Sequence, residues 1–520
     1  MRIRFRYVFR GVALTLLMGL GAFAAEVPNI VLIMADDMGY SDVGCYGGEI
    51  KTPHIDKLAA EGIRFREFYN AAVCGTTRAS LMTGLYHHQV GVRTWNGVRN
   101  DKCLNIGEAL QTAGYHTMMV GKWTDTISPS FKGFDRSFGS LANLGPTNYF
   151  KMNRTDEHFL DKEVYKLPEE GYFKTDAYTD YAVEFLHEAA TIEKPFFLYV
   201  AYVAPHWPLH AKETDIAKYR EFYREKGWDR CRSERYKNLG ALGLLGDCPL
   251  PPRDETVVPW EEASHKAWEA ERMAVYAAQI DCMDQNIGRI LDALQDTGRE
   301  ENTVVMFLSD NGATEREINP REDGSFFLDT PEETWRTDGT RTRPVVPGVM
   351  PGPADTFGSY GAEWAHVSST PVRGYKQSSY EGGILTPFIV RWPEKIARKG
   401  AIVSGTGHII DVMPTCLAIA GAKYPETYKD RTILPVEGES LMPVFNGTAW
   451  SRTTPLFWEL RGNRAVREGD WKLVGPMGGD WELYDLSRDR GEQINLAQSQ
   501  PERVQEMAQR YAAWAKRCGV

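Results

Sequence analysis

Acidic and amide side chains follow two apolar segments of this 520-residue chain. Asp36 and Asp37 come directly after the run NIVLIM. Asp310 and Asn311 come just after the run TVVMFL. These side chains supply only oxygen ligands, which hard cations such as Ca²⁺ or Mg²⁺ prefer. A lone Asp-Asp pair is more often a turn or a helix cap, but two such groups favour a metal site. Zinc fits less well because no cluster of thiolates or histidines accompanies them.

A cysteine lies close to cationic residues in the segment VCGTTRASLMTG. Most free cysteines are small buried hydrophobic residues. Cys74, however, precedes polar residues and Arg78, and the pattern places it at or near a helix N-terminus. Such a position favours anions and lowers the pKa of a thiol. Together with Lys122, which follows the run TMMV, and a divalent metal, this group is suited to nucleophilic attack on an anionic ester.

A histidine follows a third apolar run, FFLYVAY. His206 and His210 are four residues apart, a spacing that on a helix could form a zinc pair. Pro208 lies between them, so we expect no uninterrupted helix here. His206 is instead predicted to reach the same site as the acids and Lys122.

Alternating apolar and amphipathic segments predict how these residues are positioned. Short continuous apolar runs predict buried parallel strands. They are Asn29–Met34, Thr117–Val120, Phe196–Tyr202, Thr303–Leu308 and Pro387–Trp392. Helical patterns cover His54–Glu61, Leu104–Ala113, Asp176–Ala190, Trp268–Leu294 and Val412–Ala420. The alternation predicts an α/β domain with a mostly parallel sheet between helices, and ligands bind outside the carboxyl ends of such strands. Cys231–Pro259 and Asn319–Pro353 are predicted to be long surface loops.

The pattern changes after about Gly421. Short strands separated by Gly-containing turns predict a small antiparallel α+β subdomain, closed by an amphipathic helix over Glu502–Lys516. The predicted strands are Pro455–Leu460, Arg464–Arg467, Trp471–Val474 and Trp481–Leu486. We therefore predict a signal peptide over residues 1–24, a catalytic α/β domain over 25–424 and a C-terminal subdomain over 425–520.

The first 24 residues have the pattern of a secretory signal. Four arginines precede an apolar stretch, which ends in an Ala-Phe-Ala cleavage sequence. The apolar stretch is shorter than the ~20 residues that a membrane span needs, which favours cleavage over anchoring. We expect an exported protein, periplasmic or secreted, with no membrane attachment after cleavage. Disulfides are then permitted, and Cys231 with Cys248 is one possible pair.

The composition is that of a soluble globular protein, with 42% hydrophobic and 25% charged residues. The formal net charge of -10 argues against nucleic acid as a partner. An anionic substrate must therefore be held by a local cationic site. The eight cysteines include no CxxC pair, which argues against a zinc ribbon or a thioredoxin-type centre.

Longer stretches of the chain match the motifs of one enzyme family. In combination they are specific, and the chain resembles the formylglycine-dependent (type I) sulfatases of the alkaline phosphatase superfamily, within them the arylsulfatase type. The match runs from about Pro28 to the C-terminus, with gaps in the two long loops. The matching stretches are PNIVLIMADDMGYSDVGCYGG, TPHIDKLAAEGIRFREFYNAAVC, RASLMTG, VGKW, YVAPHWPLHA, RMAVYAAQIDCMDQNIGRIL, VVMFLSDNG, PGPADTFGSYGAEWA, EGGILTP, GNRAVREGDWKLV and ELYDL.

The resemblance implies an alkaline phosphatase-like fold, with a large mixed sheet, and a role for each residue of the site. One calcium ion would be held by oxygen ligands and by the modified residue 74. A maturation enzyme would oxidise Cys74 to formylglycine, whose hydrate is the nucleophile towards a sulfated small molecule or glycan. Cationic side chains would stabilise the hydrate and the sulfate, and either His206 or Lys376 would protonate the leaving oxygen. The implied metal ligands are Asp36, Asp37, Cys74, Asp310 and Asn311, and the implied catalytic residues are Cys74, Arg78, Lys122, His206 and Lys376.

Some positions depart from the family pattern. The modification motif C-x-P-S-R is CGTTR here, so Thr76 stands in place of the proline. The family's GKWHLG is GKWTDT, which replaces by Thr124 the histidine that helps the sulfated intermediate to collapse. H-E-G-G begins with Tyr380 here, and Ser369 and Leu460 replace a common Asn and a common His.

These departures keep two alternatives to a sulfatase open. A threonine hydroxyl cannot exchange a proton near neutral pH as a histidine does, although the neighbouring Asp125 could substitute. One alternative is therefore a non-catalytic or weakly active binder of sulfated glycans. The other is a hydrolase of phosphate or phosphonate esters, because related sites accept tetrahedral anions generally.

Overall fold

The computed structural model describes residues 27–94, 99–125, 127–141, 149–150, 158–168, 170–246, 248–318 and 341–520. The strands in this part of the chain are β1 (Asn29–Ala35), β2 (Ile63–Tyr69), β3 (His116–Trp123), β4 (Arg136–Leu141), β5 (His158–Leu160), β6 (Glu163–Tyr165), β7 (Phe196–Ala201), β8 (Thr303–Ser309), β9 (Arg343–Pro344), β10 (Thr356–Phe357), β11 (Leu385–Arg391), β12 (Ala401–Val403), β13 (Gly407–His408), β14 (Thr427–Tyr428), β15 (Arg431–Thr432), β16 (Leu456–Leu460), β17 (Asn463–Glu468), β18 (Trp471–Gly475) and β19 (Glu482–Asp485). The α-helices are α1 (Pro53–Glu61), α2 (Cys74–Thr83), α3 (Ile106–Thr112), α4 (Lys174–Ala190), α5 (Glu213–Ile216), α6 (Arg220–Ala241), α7 (Lys266–Asp296), α8 (Gly361–Ser368), α9 (Glu381–Ile384), α10 (Val412–Ile419), α11 (Met442–Phe445) and α12 (Pro501–Cys518).

Eleven of the described strands form one mixed sheet, in the order β12-β2-β11-β8-β1-β7-β3-β4-β5-β6, with β13 also beside β2. Its centre is parallel: β1 lies between β7 and β8, and β3 between β7 and β4. β11 runs antiparallel to both β8 and β2, and β5 and β6 continue the far edge as antiparallel strands. The predicted mixed, mostly parallel sheet is confirmed.

Helices cover both faces of this sheet because successive residues of its strands point to opposite faces. Val31 and Ile33 of β1 pack in the same apolar cluster as α4 and α7. Ile30 and Leu32 pack on the other face with α3 and α10. Every residue of β1 is buried, which explains why its sequence is a continuous apolar run.

Parts of the central domain differ from the prediction. β2 was not predicted, because charged residues such as Arg64 and Arg66 interrupt its apolar run. The predicted loop over Cys231–Pro259 is wrong in its first part, since α6 continues to Ala241 and buries Cys231. All eight cysteines are buried and free, so the possible Cys231–Cys248 disulfide is not formed. Most of the other predicted loop, residues 319–340, lies outside the described residues.

The C-terminal part forms its own four-stranded antiparallel sheet, in the order β16-β17-β18-β19. α12 packs on it through Met507. This confirms the predicted antiparallel sheet with a closing helix, whereas the boundary at residue 424 stays a prediction. The signal segment 1–24 lies outside the described residues. Within those residues, the helices include none that is both long and apolar enough to cross a membrane.

Candidate active site

Four oxygen-bearing side chains meet where β1 and β8 end. The two strands are parallel neighbours with Ala35 opposite Ser309, so the residues that follow them lie side by side. The backbone N–H of Asp37 donates to Asp310 Oδ1 at 3.2 Å, and Asn311 Nδ2 donates to Asp37 Oδ1 at 2.7 Å. The predicted group of Asp36, Asp37, Asp310 and Asn311 is fully buried.

Three oxygens of this group have no hydrogen-bond partner among the described residues: Asp36 Oδ1, Asp37 Oδ2 and Asn311 Oδ1. A buried polar atom without a partner costs about 1–3 kcal/mol, and more if it is charged. Possible ligand atoms of Asp36, Cys74 and Asp310 lie within 4.8 Å of one another. A divalent cation that prefers oxygen ligands would satisfy these atoms, so the residues fit such an ion.

Cys74 is the first residue of helix α2, and every residue of that helix is buried. The chain enters the helix in an extended conformation at Val73, and Cys74 lies close to Asp36 and Asp310. Burial raises the pKa of the Cys74 thiol, although Lys122 and Lys376 act in the opposite direction. The prediction of a lowered pKa at the helix N-terminus is therefore wrong, because desolvation outweighs the nearby positive charges.

Three cations face the three carboxylates. Arg78 donates from Nε and Nη2 to Asp310 Oδ2, at 3.0 and 2.8 Å. Lys122 Nζ lies 2.6 Å from Asp36 Oδ2. Lys376 Nζ is paired with Asp37 Oδ1. The structure thus brings together all the cationic residues that the sequence predicted.

The charges in this site shift one another's pKa values. Burial alone would raise the pKa of Asp36, but Lys122, His206 and Arg78 hold it well below its usual range. Burial and the nearby charge of Asp36 raise the pKa of Asp310. Burial alone would lower the pKa of Lys376, but Asp37 raises it.

His206 follows β7 and completes the site. Its Nδ1 lies 2.5 Å from the carbonyl oxygen of Trp207, which can only accept, so Nδ1 carries a proton. Nε2 then faces the acids, 3.5 Å from Asp37 Oδ2. His210 makes a different contact: its Nε2 lies 2.7 Å from the carbonyl oxygen of Thr356. The two histidines are not brought together as a metal pair.

Comparison with known proteins shows the family of this chain. The model of the Sulfatase family matches residues 28–422, well over half of the chain. The chain belongs to the sulfatase family. A model described as N-sulphoglucosamine sulphohydrolase, C-terminal, matches residues 375–513 of this sulfatase. The chain is 32% identical to an arylsulfatase of Klebsiella aerogenes, over 86% of this chain and 98% of the relative.

Solved structures of low identity show the same fold. Ps i-CgsB in complex with k-i-k-neocarrahexaose is 24% identical, with a TM-score of 0.68 over 94% of this chain and 93% of that one. A structure in complex with its substrate D-glucosamine-2-N,6-O-disulfate is 22% identical, with a TM-score of 0.62 over 95% and 98% of the two chains. The sulfatase is a sulfuric ester hydrolase of the type I, alkaline phosphatase-like superfamily.

Thr76 is hydrogen-bonded to the turn that leads into Cys74. Its Oγ1 lies 2.6 Å from the carbonyl oxygen of Ala71 and 2.9 Å from that of Val73. The hydroxyl thus stabilises the first turn of α2 at the position where the family pattern has proline. Its own N–H lies within the first turn of the helix, where no intrahelical acceptor exists.

Thr124 and Asp125 line a narrow crevice together with Gly75, the residue after Cys74. Asp125 is 3% exposed, and its Oδ2 has no hydrogen-bond partner in the described part of the chain. The nearest cation is Arg99, whose Nη2 lies 3.7 Å from that oxygen. The sulfatase therefore has a buried carboxylate next to the position where the histidine is missing.

The sequence reasoning missed two charged residues close to the site. Burial raises the pKa of Glu315, while Lys376 lowers it. The guanidinium of Arg316 lies 5.8 Å from the ring centroid of Trp207, the neighbour of His206. Their position just after Asn311 could have predicted them, because residues that follow the carboxyl end of a strand lie at the edge of the sheet where ligands bind.

Proposed function

We propose that this sulfatase is exported and hydrolyses sulfate esters with Cys74 converted to formylglycine and with one calcium ion. The observation that carries the proposal is the convergence, beside residue 74, of buried oxygens of Asp36, Asp37 and Asn311 that have no hydrogen-bond partner among the described residues. Such a group needs a cation, and an adjacent nucleophile places that cation where an anionic ester would react. A formylglycine-generating maturation enzyme is then the required partner.

The metal would be held by the four oxygen-bearing residues together with residue 74. Calcium would polarise the sulfate oxygens and offset their charge. The formylglycine hydrate would supply a hydroxyl as the nucleophile. The raised pKa of the unmodified Cys74 thiol supports a modified nucleophile, because little thiolate exists near neutral pH.

The remaining residues of the site bind the sulfate and handle the proton. Arg78, Lys122 and Lys376 present positive charge to the sulfuryl oxygens, on which negative charge accumulates in the transition state. His206 is the better proton donor to the leaving oxygen, because Asp37 raises the pKa of Lys376 and makes it a weak acid. Since Nδ1 keeps its proton towards the carbonyl of Trp207, the donated proton would be the second one, on Nε2. Burial lowers the pKa of His206, which makes the doubly protonated ring a stronger acid than Lys376.

The substrate is a sulfated small molecule or glycan. The likeness to an arylsulfatase supports an aryl sulfate, and the substrate D-glucosamine-2-N,6-O-disulfate of a structural neighbour supports a sulfated sugar. Parallel assays with aryl sulfate, sulfated sugars, a phosphate diester and a phosphonate test this. A preference for phosphorus esters above ~100-fold, about 2.7 kcal/mol, would contradict the proposal.

Thr124 favours a second candidate, a sulfated-glycan binder with little or no turnover. Its hydroxyl cannot take a proton near neutral pH, and the carboxylate that lines the same crevice is the buried Asp125. Binding of a sulfated sugar without turnover, in protein shown to contain formylglycine and calcium, would establish this candidate. Turnover that disappears in Cys74→Ala would exclude it.

A further inference from the structure

The segment Arg373–Gly383, called here the Lys376 loop, joins three parts of the active site. The backbone N–H of Lys376 donates to Ala313 O at 2.8 Å, just beyond the metal-binding strand end. The N–H of Gln377 donates to Ala72 O at 2.8 Å, two residues before Cys74. The loop therefore sets where Lys376 stands relative to both the acids and the nucleophile.

The Lys376 loop is packed backbone against backbone. Gly382 N donates to Arg373 O at 2.7 Å, which closes the loop on itself. A Cβ on Gly382 would lie 2.1 Å from Gly374 O, and a Cβ on Gly312 would lie 1.8 Å from Gly382 O. Since no side chain fits at these contacts, a displacement at the Gly382 end is transmitted to Lys376.

A buried charge network lies behind this loop. Lys472, on β18 of the C-terminal sheet, places Nζ 2.8 Å from Glu381 Oε1 and 2.8 Å from Glu492 Oε1. Glu492 Oε2 accepts the backbone N–H of Glu381 at 2.8 Å. Tyr69 donates its hydroxyl to Glu381 Oε2 at 2.7 Å. The side chains of Lys472, Glu381 and Glu492 are fully buried.

Other groups of the C-terminal part contact the same loop. Arg373 Nη1 donates to Glu492 O at 2.8 Å, and Asn463 Nδ2 donates to Gln377 O at 3.2 Å. The hydroxyl of Tyr380 donates to Glu482 Oε2 at 2.9 Å. The Lys376 loop is thus held between the catalytic edge on one side and the C-terminal sheet on the other.

Stability alone does not explain this network. Replacing a buried ion pair by apolar residues is often neutral or stabilising, whereas removing one partner leaves a buried charge uncompensated. We propose that Lys472 is a positioning residue for sulfate binding, acting through Glu381 and Glu492 on the Lys376 loop. This inference rests on the proposed role of Lys376 as a sulfate ligand.

The test compares two variants that each remove a buried positive charge, one near the start of β11 and one at its end. Lys472→Met acts on Glu381, just before β11. Arg391→Met is the matched control, because Arg391 ends β11, is 6% exposed and pairs with Glu61 and Glu300 at 2.7 and 2.6 Å. Titration with inorganic sulfate measures affinity, and hydrogen exchange of the peptide over residues 373–383 measures the order of the loop. Kinetics of an aryl sulfate then separate KM from kcat.

We expect Lys472→Met to weaken sulfate binding at least tenfold, to speed exchange in the Lys376 loop and to raise KM more than it lowers kcat. Arg391→Met should lower the melting temperature without these effects. Unchanged sulfate affinity and loop exchange in Lys472→Met would overturn the inference. An equal loss of sulfate affinity in Lys472→Met and Arg391→Met would overturn it as well.

A milder variant keeps the test decisive if Lys472→Met does not fold. Tyr69→Phe removes the hydrogen bond to Glu381 Oε2 within the same network without removing a charge, and we expect the same effects at smaller size. Wild-type affinity and exchange in this variant would then count against the inference. Sulfate binding and exchange do not require turnover, so a wild-type protein that fails to hydrolyse sulfate esters contradicts the proposed function and leaves this test in force.

Discussion

Lys122 and Asp36 form a buried ion pair that uses only half of the carboxylate. Nζ lies 2.6 Å from Oδ2, while Oδ1 has no hydrogen-bond partner among the described residues. The lysine therefore leaves one oxygen of Asp36 available to a metal. Asp37 is arranged in a similar way: its Oδ1 is paired with Lys376, whereas its Oδ2 has no hydrogen-bond partner among the described residues and lies 3.5 Å from His206 Nε2.

Removal of the metal should abolish turnover and lower the melting temperature, because it leaves these buried oxygens unsatisfied. A bound ion at a free concentration of 100 times its Kd stabilises by about 2.7 kcal/mol, which for a chain of this length corresponds to a melting-temperature shift of about 2–3 °C. Activity and thermal unfolding after dialysis against chelator, and again after calcium is added, measure this. In Asp36→Asn the calcium-dependent shift should be reduced. Full activity in protein shown by elemental analysis to be metal-free would contradict the metal site.

Arg78→Lys should lower kcat/KM by about 100-fold or more, because lysine keeps the charge but loses the two N–H groups that hold Asp310. Steady-state kinetics with an aryl sulfate measure the effect. Arg391→Lys, a buried arginine far from the site, is the control and should change kcat/KM less than twofold. A variant at position 78 that retains more than half of the wild-type kcat/KM would show that the paired geometry does not matter.

His206→Gln should lower the rate of hydrolysis most for substrates with poor leaving groups. Loss of a proton donor costs about 10²–10⁴-fold in rate, and an alkoxide needs the proton more than a nitrophenolate does. Comparing alkyl and nitrophenyl sulfates therefore gives the signature of the role. His210→Gln is the control: its partner is the carbonyl of Thr356, so it should affect stability without changing the leaving-group dependence. Equal losses on both substrates in His206→Gln would remove the proton-donor assignment.

Thr76→Pro should increase the fraction of Cys74 that is converted. The proline matches the family's modification motif, and the N–H that it removes has no intrahelical acceptor in the first turn of α2. The substitution also removes the hydrogen bonds from the Thr76 hydroxyl to the carbonyl oxygens of Ala71 and Val73. Mass spectrometry of protein produced together with a maturation enzyme measures conversion. Thr83→Ala, whose hydroxyl lies 2.8 Å from Ala79 O at the other end of the helix, is the control. Equal conversion in wild type and Thr76→Pro would show that the proline is not needed.

The sequence predicted the acidic edge because the strands that carry it are continuous apolar runs, and parallel neighbours deliver their following residues to one place. It could not predict the network around Lys472, because that residue meets Glu381 only when the C-terminal sheet packs against the central domain. The pKa of Cys74 was predicted in the wrong direction for a related reason. A helix N-terminus is visible in the sequence, but the complete burial of helix α2 is not.

The most direct test of the proposed function is the mass of the tryptic peptide Glu67–Arg78, which carries residue 74. It is measured on the same preparation whose turnover of a sulfate ester is assayed, made with and without a maturation enzyme. We predict that the cysteine is replaced by the aldehyde, with oxygen in place of sulfur and two hydrogens fewer, and that activity rises in proportion to the converted fraction. Full sulfatase activity in protein that contains only unmodified Cys74 would contradict the proposed function.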